Sequence, residues 1–175
     1  MMKKKLFKIS LAGIFSALAT LTFILESLFP PIILPGARMG LSNIFILLSL
    51  ILLGPIESVF VLLIKTLIGS LFSGNISSII YSIPAGLISL SVEILTIYFI
   101  KKVSVISISV LGAIINVTIQ NIVFCLVTKT MEYFVFIPYL SLISAVSGLI
   151  VGFTVYLIIK KLPEKHFKNL QGEQN

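Results

Sequence analysis

Aspartate and tryptophan are absent from the 175 residues, cysteine and histidine occur once each, and six acidic residues stand against thirteen basic ones. Each scarcity excludes a chemistry. A single cysteine, Cys125, rules out an internal disulfide, and one histidine, His166, leaves no zinc cage or Cys–His nucleophilic pair. Without aspartate the chain has no Asp-rich site to hold a diphosphate through magnesium. No haem, iron–sulfur or flavin ligation pattern is recognisable either, so no metal, no cofactor and no enzyme activity are expected. Charge itself is sparse: 11% of residues are charged and 58% hydrophobic, with a mean hydropathy of +1.17, against roughly 25% and 45–50% in ordinary soluble domains. Residues 9 to 159 carry only Glu26, Arg38, Glu57, Lys65, Glu93, Lys101, Lys102, Lys129 and Glu132. This is the distribution of a polytopic membrane protein.

The net charge of +7 does not point to nucleic acid, because the basic residues gather outside the apolar segments, as a topology signal does. Cys125 lies in an apolar run and reads as a small hydrophobe. Ala17-Leu18-Ala19 resembles a small-x-small cleavage site, but the apolar run continues past it, so a retained first span is expected rather than a signal peptide.

The hydrophobic runs predict an all-α bundle of six transmembrane spans, about 9–29, 41–53, 56–72, 79–100, 105–128 and 135–159, in one membrane domain, 1–162, with a polar cytoplasmic tail, 163–175. The second span is short unless the preceding loop dips below the headgroups, which places Arg38 and Asn43 deeper than hydropathy alone suggests. That loop, Pro30 to Arg38, has three prolines and a glycine and is too apolar for open water, so it is a candidate lid. Gly54-Pro55 predicts a tight turn with Pro55 at the first helical position and Glu57 in the first turn, a structural role for that carboxylate. The N-terminus, the loop after the fourth span and the C-terminus hold ten lysines, and the opposite loops hold Arg38 and Lys129. Both termini are therefore expected in the cytoplasm, in a bacterial cytoplasmic membrane.

Ionisable groups inside spans are costly and must find protein, cavity or counter-charge. Lys65 lies mid-way along the third span, at a depth close to that of Glu93, which shares a small polar stripe with Ser82, Gly86 and Ser89. Three readings stay open: a structural Lys65–Glu93 pair, a Lys65 that reaches outward to an anionic ligand group, or a Lys65 held by some other partner. Asn116 and Gln120 share one face of the fifth span with Gly112, suited equally to bonds between helices and to a small polar ligand. Glu26, near the outer end of the first span, reads as solvated or interfacial, with contact to a ligand as the alternative. Gly148 and Gly152 form a GxxxG that favours internal close packing over dimerisation, and Ala12, Gly13, Ser16 and Ala17 form two overlapping small-x3-small pairs.

Six short spans, an apolar loop after the first, small residues near its inner end and no ATP-binding motif resemble the substrate-binding S component of an energy-coupling factor (ECF) transporter. The pieces Gly40-Leu41-Ser42-Asn43, Leu53-Gly54-Pro55-Ile56-Glu57, Lys65 with Gly69-Ser70-Leu71, and Gly86-Leu87-Ile88-Ser89-Leu90 resemble the Gx transporter family, also labelled heptaprenyl diphosphate synthase component I. The family's fifth-span pattern has a histidine and an asparagine followed by a glutamine. Asn116, Val117 and Gln120 stand there, so only the glutamine matches.

The resemblance implies capture of a small vitamin-like or cofactor-precursor molecule outside, and its delivery inward with a transmembrane coupling protein and ABC-type ATPases. Ala12, Gly13, Ser16 and Ala17 would meet the coupling protein. The expected ligand site lies in the outer half of the bundle, with Arg38, Asn43, Lys65, Asn75, Asn116 and Gln120 as its candidate residues, under a roof made by Pro30 to Arg38 and the loop around Asn75. Arg38 and Lys65 favour an anion there. The alternative is a non-catalytic membrane subunit associated with isoprenoid or quinone metabolism, or with an extracellular electron-transfer complex.

Overall fold

Six α-helices make up the computed structural model, which describes residues 2–28, 40–100 and 103–162 and has no strand among them. They are α1 (Met2–Leu28), α2 (Asn43–Leu52), α3 (Pro55–Phe72), α4 (Ser78–Phe99), α5 (Val105–Thr128) and α6 (Ile137–Lys161), with a short 3-10 turn at Met131–Phe136. The loop Pro30 to Arg38, Lys101, Lys102 and the tail from 163 onward lie outside the described residues.

Five of the helices are long and apolar enough to cross a membrane; α2 is not. Its ten residues span about 15 Å, half of a hydrocarbon core, so the span expected to be short is a half-length helix. The apolar stretch long enough for the last crossing, Met131–Lys161, opens with the 3-10 turn of Met131–Phe136 and continues as α6 from Ile137.

Local sequence explains the joints. Gly54 holds φ +118°, a conformation that side chains rarely adopt, and Pro55 follows within the first turn of α3. The N–H groups of Leu53 and Gly54 both donate to the Ser49 carbonyl, closing the α2–α3 turn. Ser104 caps α5 by accepting from the Ile106 N–H.

The short helix is the centre of the bundle. Ile46, Leu47, Leu48, Ser49, Leu50 and Leu52 of α2 are all buried, joined in one apolar core by Ala19, Val61, Leu62, Leu90, Ile108 and Val155. A helix that is apolar all round belongs in such a place. The longer helices instead turn large apolar side chains outward, among them Leu21, Phe60, Phe72, Leu142 and Phe153. So much exposed apolar surface suits a lipid solvent and not water.

Between helices the contacts run through small residues. A Cβ on Gly148 would lie 2.9 Å from the Val110 Cα, and one on Gly152 2.8 Å from the Ile106 Cα, so the GxxxG packs α6 against α5 within the molecule. Ser144 Oγ donates to the Ala113 carbonyl at 2.6 Å and Ser89 Oγ to that of Gly112 at 2.8 Å, stitching α6 and α4 to α5. Cys125 is fully buried, in keeping with a small hydrophobe.

Candidate functional site

A polar cavity opens inside this apolar bundle, with every helix contributing to its wall. It offers about 80 Å³ to the centres of water-sized molecules, several times the roughly 10–15 Å³ that one water requires.

On α3, Lys65 is only 6% exposed although its ammonium lies near the middle of an apolar helix. Its Nζ donates to Asn43 Oδ1 at 2.8 Å and stands 5.7 Å from the centroid of the Phe23 ring. The amide oxygen and the ring face both favour a cation, as burial requires. Phe23 reaches this place because Gly69 has no side chain: a Cβ there would overlap the ring. Asn43 is the first residue of α2, so the early start of that short helix is what brings an amide to the depth of Lys65. Gly40, at φ +70°, makes the turn into α2, and a side chain on it would press on the Asn43 amide, 3.3 Å away.

On α1, Glu26 is half-buried, lines the cavity and accepts from the Leu41 N–H through Oε1. Of the two expectations for Glu26, its place in the cavity wall fits the ligand-contact alternative and not a solvated carboxylate. The N–H groups ahead of α2 have no partner within the helix, and the carboxylate supplies one.

On α4, Ser82, Gly86 and Glu93 line the cavity, while Ser89 of the same stripe turns to the α5 backbone. Glu93 lies against Gly112, where a Cβ would overlap its Oε1, and it interacts electrostatically with Lys65. It makes no hydrogen bond to another described residue. On α5, Ser109, Ala113, Asn116, Val117 and Gln120 form the facing wall. Gln120 Nε2 donates to Ser82 Oγ at 3.4 Å, and the Asn116 amide makes no hydrogen bond to another described residue.

Four of the six expected ligand residues, Asn43, Lys65, Asn116 and Gln120, thus meet around one cavity. Asn75 does not join them. It is exposed in the α3–α4 turn, where its N–H donates to the Ser70 carbonyl at 3.1 Å and its own carbonyl accepts from Ser78 Oγ at 2.7 Å. Arg38 lies outside the described residues. Lys65 bonding to Asn43 belongs to the third sequence reading, a partner other than Glu93 or ligand, although the sequence did not name Asn43 as that partner.

Several wall residues escaped the sequence reading: Phe23, Ser109, Ser144 and Ser147. For the serines a signal existed, since Ser109, Gly112, Ala113, Asn116 and Gln120 follow helical spacing, as do Ser144, Ser147, Gly148 and Val151. Phe23 carried none, as one aromatic ring among thirteen phenylalanines in apolar runs.

Among the described residues, no group of three or more His, Cys, Asp or Glu side chains is placed to hold a metal ion. What the cavity offers is hydrogen bonding and charge inside an apolar shell. A family model described as "Heptaprenyl diphosphate synthase component I" matches residues 15–158, a stretch that includes every cavity-lining residue. No curated protein and no solved structure matches the chain.

Proposed function

The chain belongs to the heptaprenyl diphosphate synthase component I family, and from that premise we propose that it is the substrate-binding S component of an ECF-type uptake transporter in the bacterial cytoplasmic membrane. In this reading the chain crosses the membrane six times and both termini lie in the cytoplasm, in accord with the lysine asymmetry. A small vitamin-like or cofactor-precursor molecule enters the cavity from outside and is released inward when a coupling protein and ABC-type ATPases reorient the subunit.

The observation that carries the proposal is the cavity itself. A bundle that buries Lys65 and holds half-buried Glu93 and three half-buried carboxamides around one interior cavity accepts a desolvation cost, which a purely architectural membrane protein has no cause to bear. A second observation concerns the partner. Gly13 and Ala17 are exposed on the outer surface of α1, and a Cβ on Gly13 would meet nothing within 4 Å, whereas Ser16 is buried and bonds back to the Ala12 carbonyl. Gly13 and Ala17 therefore offer a close backbone approach to a helix from another protein.

The family description names a component of a prenyl diphosphate synthase. Diphosphate chemistry of that kind works through magnesium on clustered carboxylates, and a chain without aspartate has little to build it from. A non-enzymatic role is therefore favoured.

The test is co-purification with a coupling protein and its ATPases. Parent protein should bring them down, and the Gly13→Leu, Ala17→Leu double variant should lose them while remaining folded by itself. Failure of the parent to associate removes the transport reading.

A further inference from the structure

We infer that the cavity takes a small, uncharged molecule with an amide-type edge, a hydrogen-bond donor beside an acceptor, held by the Asn116 and Gln120 carboxamides. The inference rests on the binding-subunit reading and gives its ligand a chemical class. The charged groups of the wall are already engaged: Lys65 donates to Asn43 and acts electrostatically on Glu93, and Glu26 accepts from the Leu41 N–H. An anion would have to draw Lys65 away from Asn43 and Glu93. A cation would have to draw Glu93 from Lys65, or Glu26 from the backbone. Burying a charge without a partner of its own is costly, so the wall favours a neutral guest over either ion.

What the wall leaves open is itself neutral. The Asn116 carboxamide lines the cavity and makes no hydrogen bond to another described residue. Gln120, one turn further along α5, uses one N–H in the 3.4 Å contact to Ser82, and its amide oxygen has no described partner. Ser109, two turns the other way, is 4% exposed and lines the same cavity, and its hydroxyl bonds to no described residue. Polar groups left unmade in an interior cost free energy, and three of them on one helix face give a guest its hydrogen bonds. A carboxamide sets N–H beside C=O, so it pairs by two bonds with an edge that offers the reverse order, as Asn and Gln do with the edge of adenine. Between Ser109 and Asn116 the α5 wall is Ala113, and Leu47, Leu62 and Val151 also line the cavity, which supplies apolar contact for the rest of the molecule. A space of about 80 Å³ for the centres of water-sized molecules holds about five to eight waters, room for a single ring with its amide. Carboxamides, lactams and ureides of that size fit. The expectation of an anion weighed Arg38 and Lys65 without the groups that engage Lys65 here.

Benzamide, benzoate and benzamidine are nearly the same shape and are neutral, anionic and cationic at neutral pH; N,N-dimethylbenzamide keeps the acceptor and loses both donors. Added to the full chain in nanodiscs, benzamide should raise the unfolding temperature saturably. Each of the other three should need at least about tenfold higher concentration for the same effect, because a buried charge or an unmade hydrogen bond opposes binding. Asn116→Leu should abolish the benzamide shift without lowering the unliganded unfolding temperature, since it removes a group that bonds to no described residue; a purely structural Asn116 would instead lower that temperature. Asn116→Ser, a smaller change, should weaken benzamide in the same direction. If neither variant stays monodisperse, the ranking of the four probes on the parent decides. Benzoate, benzamidine or the dimethyl amide binding as well as benzamide, a benzamide shift that survives Asn116→Leu, or no binding of any probe overturns the inference. Should it fail while the coupling protein and ATPases still co-purify, the transport reading stands. Should benzamide selectivity hold without those partners, only the transport reading falls.

Discussion

Lys65 Nζ donates to Asn43 Oδ1 across 2.8 Å, tying the middle of α3 to the first residue of α2. The bond joins the costliest group in the bundle to the start of its most buried helix. Removing one partner should therefore hurt more than removing both. Asn43→Leu leaves a buried ammonium without its amide acceptor and should cost about 1–3 kcal/mol. The Asn43→Leu, Lys65→Met double variant should recover much of that loss. Thermal or denaturant unfolding of the four proteins of the cycle measures the coupling, and a double variant as unstable as the sum of the singles would show that the pair carries no joint role.

Close packing of α6 on α5 makes a second stability prediction. Gly148→Leu or Gly152→Leu drives a side chain into the Val110 or Ile106 backbone and should destabilise by about 1–3 kcal/mol or more. Gly13→Leu meets open space and should change stability by less than about 0.5 kcal/mol. If the two glycines of α6 served dimerisation, their substitution would alter the mass of the solubilised particle and leave the unfolding temperature nearly unchanged.

The sequence made the helices legible because a bilayer demands long apolar runs, and turn signals such as Gly54-Pro55 are short-range chemistry. The polar stripe Ser82–Gly86–Ser89–Glu93 and the pair Asn116–Gln120 were legible for the same reason: helical spacing places them on one face. What spacing does not contain is register between helices. Nothing in the sequence places Asn43 opposite Lys65, because that depends on α2 being ten residues long and starting deep within the bundle. Asn75 shows the reverse case: a polar loop near an expected site invites inclusion in it, whereas its backbone groups serve the α3–α4 turn and it does not line the cavity.

The topology expected from the lysine distribution can be tested chemically. In a Cys125→Ala background, Asn75→Cys should react with an impermeant thiol reagent added to intact cells, and Lys102→Cys should react only after the membrane is opened. Cys125 is buried within α5, so its replacement removes background labelling without touching the loops. Labelling of position 102 but not 75 in intact cells inverts the orientation and with it the direction of uptake.

Ligand-linked stability separates the cavity wall from the polar turn above it. A molecule that binds only the folded state stabilises it by about 2.7 kcal/mol at 100 times its dissociation constant, so a thermal-shift screen of vitamins, quinone precursors and amines detects binding even while the substrate is unidentified. For any hit, Asn116→Ala and Gln120→Ala should reduce the shift while the unliganded unfolding temperature hardly moves, because Asn116 bonds to no described residue and Gln120 gives up only a 3.4 Å contact to Ser82. Asn75→Ala should leave the shift intact, since that side chain does not line the cavity. A shift lost with Asn75 and kept without Asn116 and Gln120 would move the binding site out of the bundle and onto the α3–α4 turn.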